Sequence, residues 1–98
     1  MVKCNLQGKN VEVYISGNLD TKDALELRKG ITDYLNQGAR NISVNLKELK
    51  EIDSTGLGVL VAANKLANKN NGKVSIDGAS GNVKEMFKLT RLDRVFEI

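Results

Sequence analysis

Apolar and polar residues alternate in several short stretches of the chain. Val11, Val13 and Ile15 interleave with Glu12 and Tyr14, and Ile42, Val44 and Leu46 with Ser43 and Asn45. A two-residue period predicts strands with one buried face. Residues 2–7 are a weaker strand candidate, joined to 11–15 by Gly8-Lys9-Asn10, a hairpin-turn sequence. Ser16-Gly17-Asn18 closes the second strand. The period then changes to that of a helix. Ala24, Leu27, Ile31, Tyr34 and Leu35 share one face of a helix that Asp20 or Thr21 can cap and that runs to about Asn36. Gly38 suits the residue just past its end.

After the strand at 41–46, Lys47 to Glu51 predicts a charged connection of at most one turn. A second helix is expected from about Thr55 to Lys69, stopped by Asn70-Asn71-Gly72. Lys73 to Asp77 predicts a short strand. Ser80 can cap a third helix over Asn82 to Leu89, with Val83, Met86, Phe87 and Leu89 as its apolar face. Val95 to Ile98 predicts a last strand. The expected order is ββαβαβαβ. Strands alternating with helices imply an α/β domain with a mostly parallel central sheet, an antiparallel N-terminal edge hairpin and helices packed on the sheet.

Composition narrows the chemistry. With 98 residues the chain makes a single domain, 1–98. It has no histidine and one cysteine, which excludes Ser-His-Asp and Cys-His catalysis, Cys/His zinc sites and an internal disulfide. No apolar run approaches the ~20 residues that span a bilayer, and no signal core follows the N-terminus. A cytoplasmic protein without membrane contact is the simplest expectation. The net charge of +3 comes from 15 basic and 12 acidic residues scattered over all segments. Scattered charge with four aromatics, Tyr14, Tyr34, Phe87 and Phe96, does not make a nucleic-acid stripe. Cys4 is expected to be a small packing residue.

The informative stretch is Asp53-Ser54-Thr55-Gly56-Leu57-Gly58-Val59, where a strand and loop hand over to a helix. Helix-start amides lack partners and carry partial positive charge, so a hydroxyl caps them and a phosphate is tolerated there. Gly56 and Gly58 remove bulk and let another molecule approach the backbone. A plainer assignment competes: Ser54 as the cap, Asp53 as a turn former, the glycines as close-packing residues. The stretch lacks the Lys-Ser/Thr ending of a P-loop and the third glycine of a dinucleotide fingerprint. Leu57, Val59, Leu60, Val61, Ala62 and Ala63 then surround the helix almost completely. Either the helix is covered on both sides or a partner covers part of it.

The element order, Gly17-Asn18-Leu19-Asp20 after the second strand and the Asp53–Val59 string resemble the STAS domain, most closely the bacterial anti-sigma factor antagonists. Asn45-Leu46, Asn71-Gly72 and Val83-Lys84-Glu85-Met86-Phe87 add to the likeness, which covers the whole chain. The resemblance implies partner switching. The serine matching Ser54 is phosphorylated by an anti-sigma factor that is itself a serine kinase. The unphosphorylated form binds that kinase and frees the sigma factor, and a PP2C-like phosphatase restores it. ATP and metal belong to the kinase, so this chain needs no cofactor. Asp20, Asp53, Ser54, Thr55, Gly56, Leu57 and Gly58 become the expected partner-binding residues. Thr55 is a lesser phosphosite candidate and more naturally a helix-start residue.

Many relatives continue into a further C-terminal helix; its absence here suggests a monomer or weak dimer in which self-association supplies the lost cover. Two other functions stay open at this stage. One is a non-switching STAS scaffold in a signalling complex. The other is a small nucleotide- or nucleic-acid-binding protein, whose binding would fall steeply with salt. An enzyme is not expected, because no nucleophile has a base beside it.

Overall fold

The computed structural model describes all 98 residues. Six strands and four helices follow one another as β1 (Val2–Gln7), β2 (Asn10–Ile15), β3 (Gly17–Leu19), α1 (Thr21–Asn36), β4 (Asn41–Asn45), β5 (Leu49–Ile52), α2 (Ser54–Lys69), β6 (Val74–Asp77), α3 (Gly81–Leu89) and α4 (Leu92–Val95). The main sheet has the order β1-β2-β4-β6. β1 and β2 form the expected antiparallel hairpin, whereas β2–β4 and β4–β6 are parallel. The α/β class with its antiparallel edge is therefore the fold of this chain.

The alternation read from the strands has a direct physical outcome. Val11, Val13, Ile15, Ile42, Val44 and Val74 turn inward and are buried. On the opposite face Glu12, Tyr14, Ser43, Asn45, Ser75 and Asp77 line an open polar trough. Parallel sheets are usually covered on both faces; here one face stays wet because every second residue is polar or, at Tyr14, carries a hydroxyl. The Tyr14 hydroxyl donates to the Glu12 carboxylate at 3.1 Å, and that neighbour raises the phenol's pKa. Cys4 faces inward at the edge, half-buried, and desolvation raises its thiol pKa, as suits a packing residue.

Three expectations need correction. The stretch 47–51 is not simply a connection: β5 begins at Leu49 and pairs in parallel with β3, forming a second, two-stranded sheet. Gly17, at φ +73°, turns the chain out of the main sheet into this small one. The last strand is absent. Arg91 takes φ 62° and starts the short helix α4, whose end closes with Phe96 N–H on the Leu92 carbonyl and Ile98 N–H on the Asp93 carbonyl. Those bonds occupy the backbone that a strand would have offered. Phe96 is buried and meets Phe87 edge-on, with ring centroids 6.0 Å apart. Finally, Ser80 stands at the N-cap of α3 without a side-chain cap bond, and Leu89 is exposed. The buried face of α3 is set by Val83 and Phe87; Leu89 lies two residues beyond Phe87, about 200° around the axis.

The interior is one cluster of 23 apolar residues with no buried polar or charged side chain. α2 contributes five of these residues. Leu57, Val59, Leu60, Ala63 and Ala67 are buried, Val61 is partly covered and Ala62 is exposed. Most of the apolar girdle on this helix is thus core, filled by the sheets and the neighbouring helices, and only its outer ridge is left to solvent.

Candidate functional site

The parallel register of the small sheet builds the site. Leu19 of β3 pairs with Ile52 of β5, and each is followed at once by an aspartate that caps a helix. Asp20 accepts from the Asp23 N–H at 2.8 Å, and Asp53 accepts from the Gly56 N–H at 3.0 Å. Two acidic caps therefore stand at the same end of adjacent strands, at the starts of α1 and α2. Asp20, not Thr21, is the cap of α1. Asp53, not Ser54, is the cap of α2, because its backbone is still extended at φ −106°, ψ −177° while Ser54 is already helical. Capping by Asp53 frees Ser54. Its side chain is exposed at the first helical position and makes no hydrogen bond within the chain. Thr55 is exposed on the next position, also without a side-chain bond.

The two glycines of the motif do different work. A methyl group on Gly56 would lie 2.8 Å from Leu19 Cδ2 and 2.9 Å from Ile52 Cγ1, so Gly56 is the point where α2 touches the small sheet. It is buried and belongs to packing rather than to the partner surface expected of it. A methyl group on Gly58 would meet nothing within 4 Å, and the residue is exposed. Residues two apart lie about 200° apart on a helix, which sends one glycine inward and the other outward. Leu57 is buried at 3% exposure, at the floor of an open groove of about 430 Å³. That groove runs from Ser54 and Gly58 along α2, with Thr90 and Leu92 on its far wall.

The site's chemistry is that of an exposed hydroxyl at a helix start. It holds a free hydroxyl, the positive end of a 16-residue helix and two carboxylates. A phosphate on Ser54 would be drawn to the helix amides and repelled by the acidic caps. No base stands in hydrogen-bond contact with the Ser54 hydroxyl, so nothing here activates it as a nucleophile.

Three substitutions separate these roles. Asp53→Ala should cost about 1 kcal/mol by leaving the Gly56 N–H without its cap. Gly56→Ala should cost about 1–2 kcal/mol, the overpacking against Leu19 and Ile52 outweighing the gain in helix propensity. Gly58→Ala should stabilise the fold by about 0.5–1 kcal/mol, because open space and a helical backbone favour alanine. Urea unfolding midpoints of the three variants check the order; Gly56→Ala matching Gly58→Ala would contradict the division of labour.

Comparison with known proteins locates this arrangement. The family model described as "Mlab, STAS domain" matches residues 2–97. The anti-sigma-B factor antagonist of Staphylococcus aureus is 33% identical over 97 residues, which is 99% of this chain and 90% of that protein. Among solved structures, the anti-sigma factor antagonist SpoIIAA in its unphosphorylated form superposes with a TM-score of 0.86 at 21% identity, over 100% of this chain and 98% of that one. The Bacillus cell fate determinant SpoIIAA in its phosphorylated form gives 0.82 at 21% identity, over 96% and 86%. At that identity the two structures speak for the fold alone. The fold is matched in both phosphorylation states of that protein.

Proposed function

The chain belongs to the STAS domain family, and from that premise we propose that it is an anti-sigma factor antagonist switched by phosphorylation on Ser54. In this reading the unphosphorylated form binds an anti-sigma factor that is a serine kinase, and so frees a sigma factor. The kinase phosphorylates Ser54 and ends the contact; a PP2C-like phosphatase restores it. The chain acts as a regulatory binding module, not as an enzyme. The observation that carries the reading is the free Ser54 hydroxyl, exposed because Asp53 has taken the cap of α2.

The geometry supports two of these steps, access to the hydroxyl and loss of the contact on phosphorylation. A kinase must reach the hydroxyl, and Ser54 stands outside the packed interior beside the open Gly58. A phosphate adds about −1.5 to −2 charges at neutral pH. Placed beside Asp53 and the Asp20 end of the small sheet, it turns an already acidic corner strongly negative. A partner surface fitted to the free hydroxyl loses both shape and charge match. The fold itself has little to lose, because the positive helix end receives the phosphate and no buried contact depends on the hydroxyl.

The test is reconstitution. Adding the unphosphorylated chain to a preformed complex of the organism's anti-sigma kinase with its sigma factor should release the sigma factor in proportion to the chain added. A complex that stays intact while the chain binds elsewhere, or fails to bind, would overturn the reading.

A further inference from the structure

The second groove of the helical face lies between α1 and α2, and its make-up is one-sided. It encloses about 350 Å³. Its floor is apolar, formed by the buried Ile31, Val59 and Ala63, and its rim carries three cations, Arg28, Lys65 and Lys69. No acidic residue lines it, although the chain has 12 acids to 15 bases. None of the three cations has an ion-pair partner; the chain's one salt bridge joins the N-terminus to Asp23. Lys65 and Lys69 stand four residues apart on α2, a like-charge spacing that works against the helix. Lys69 gains from the negative end of α2, but Arg28 and Lys65 have no such compensation.

This groove is continuous with the Ser54 surface. Ala62 and Lys65 line both grooves. α1 and α2 start side by side, so the groove leads away from Ser54 along the pair. Leu25, 54% exposed, stands three residues before Arg28 on the same ridge of α1 and offers an apolar anchor nearer the Ser54 end. From Ser54 to Lys69 is about 22 Å along the helix axis.

We propose that the α1–α2 groove is a second docking site for the anti-sigma factor, filled by an acidic, amphipathic helical segment of that partner. This rests on the function proposed above and adds the chemistry of the contact. An apolar floor between two helices receives the apolar face of a third helix, while the cationic rim pairs with its acidic flank. The rim steers and orients; the floor holds. Lys69 lies about 22 Å from Ser54 along the helix, far enough for its contribution to affinity to add to that of the switch, whereas Lys65 also lines the Ser54 groove and joins the two surfaces.

The experiment compares binding of the purified anti-sigma kinase to the wild-type chain, to Arg28→Glu/Lys65→Glu/Lys69→Glu and to Arg28→Lys/Lys65→Arg/Lys69→Arg, at low and moderate salt. Circular dichroism first confirms that each is folded, as exposed positions predict. The expected result is a loss of at least tenfold on charge reversal, a flatter salt dependence, and near wild-type binding when charge is kept. If the kinase binds the wild-type chain and the reversed variant equally, the groove is not a docking site and the switch reading survives. If the kinase does not bind the wild-type chain at all, the functional reading falls and takes this inference with it. If reversal alters only binding to a DNA duplex, or only sedimentation of the chain alone, the occupant is nucleic acid or a second copy and the inference is overturned.

Discussion

Ser54→Asp is expected to weaken binding to the anti-sigma kinase at least 100-fold, while Ser54→Ala binds about as well as wild type and cannot be switched. A hundredfold loss corresponds to about 2.7 kcal/mol. That figure is within the several kcal/mol that a like-charge or unpaired charged group costs at an interface. The serine hydroxyl has no partner inside the chain, so removing it leaves no unsatisfied group behind. Adding a carboxylate changes the surface without changing the core. Aspartate in the first turn is favourable for a helix, so Ser54→Asp should be as stable as wild type or slightly more so. Thermal unfolding followed beside calorimetric binding separates the two quantities. Loss of binding that tracks loss of fold would contradict the switch.

Gly72→Ala should destabilise the fold by about 3 kcal/mol. α2 ends with Asn71 in the left-handed conformation, and the Gly72 N–H returns to the Ala67 carbonyl at 2.8 Å. The chain then runs directly against the backbone entering β4. A methyl group on Gly72 would collide with the Arg40 carbonyl, with the Arg40 Cα 2.9 Å away. Side chains can rotate away from such a collision; a backbone carbonyl at the mouth of β4 cannot. Relief would shift the approach to β6, where the Lys73 carbonyl accepts from the Ile42 N–H at 3.0 Å. In a domain of this size about 3 kcal/mol lowers the melting midpoint by more than about 10 °C. A midpoint within a few degrees of wild type would show that the junction gives way more easily than its geometry implies.

The parts of the fold with a period long enough to see were legible in the sequence. β2, β4 and β6 alternate, α1 carries a clean apolar stripe, and Gly38 and Asn71 sit at helix ends as turn chemistry requires. β3 and β5 were not legible: β3 has only three residues, and β5, with the pattern buried-exposed-exposed-buried, does not alternate. Leu49-Lys50-Glu51-Ile52 presents two buried ends around two exposed charges, which resembles a loop until β3 is beside it. Val95 to Ile98 misled in the opposite direction: three of its four residues are apolar, but they serve a helix end, and Phe96 is buried against Phe87.

In the site, the motif located the right helix start and left its roles open. Asp53 and Ser54 are both capping residue types, and only the backbone angles assign the cap to Asp53. The separation of Gly56 from Gly58 was available from helical geometry, since two residues carry a side chain to the far side of the axis. What sequence could not supply was which side faced the small sheet, because that sheet was itself unseen. The α1–α2 groove was missed for a similar reason. Arg28, Lys65 and Lys69 are 37 or more positions apart between the two helices and meet only once α1 and α2 pack.

The most direct test of the switch is intact-mass and site-mapping analysis after incubation with ATP and the anti-sigma kinase. One phosphate on Ser54, absent from Ser54→Ala and accompanied by loss of kinase binding, is the predicted result. No phosphate on Ser54 while tight binding persists would contradict the account and leave a STAS protein that holds its partner without switching.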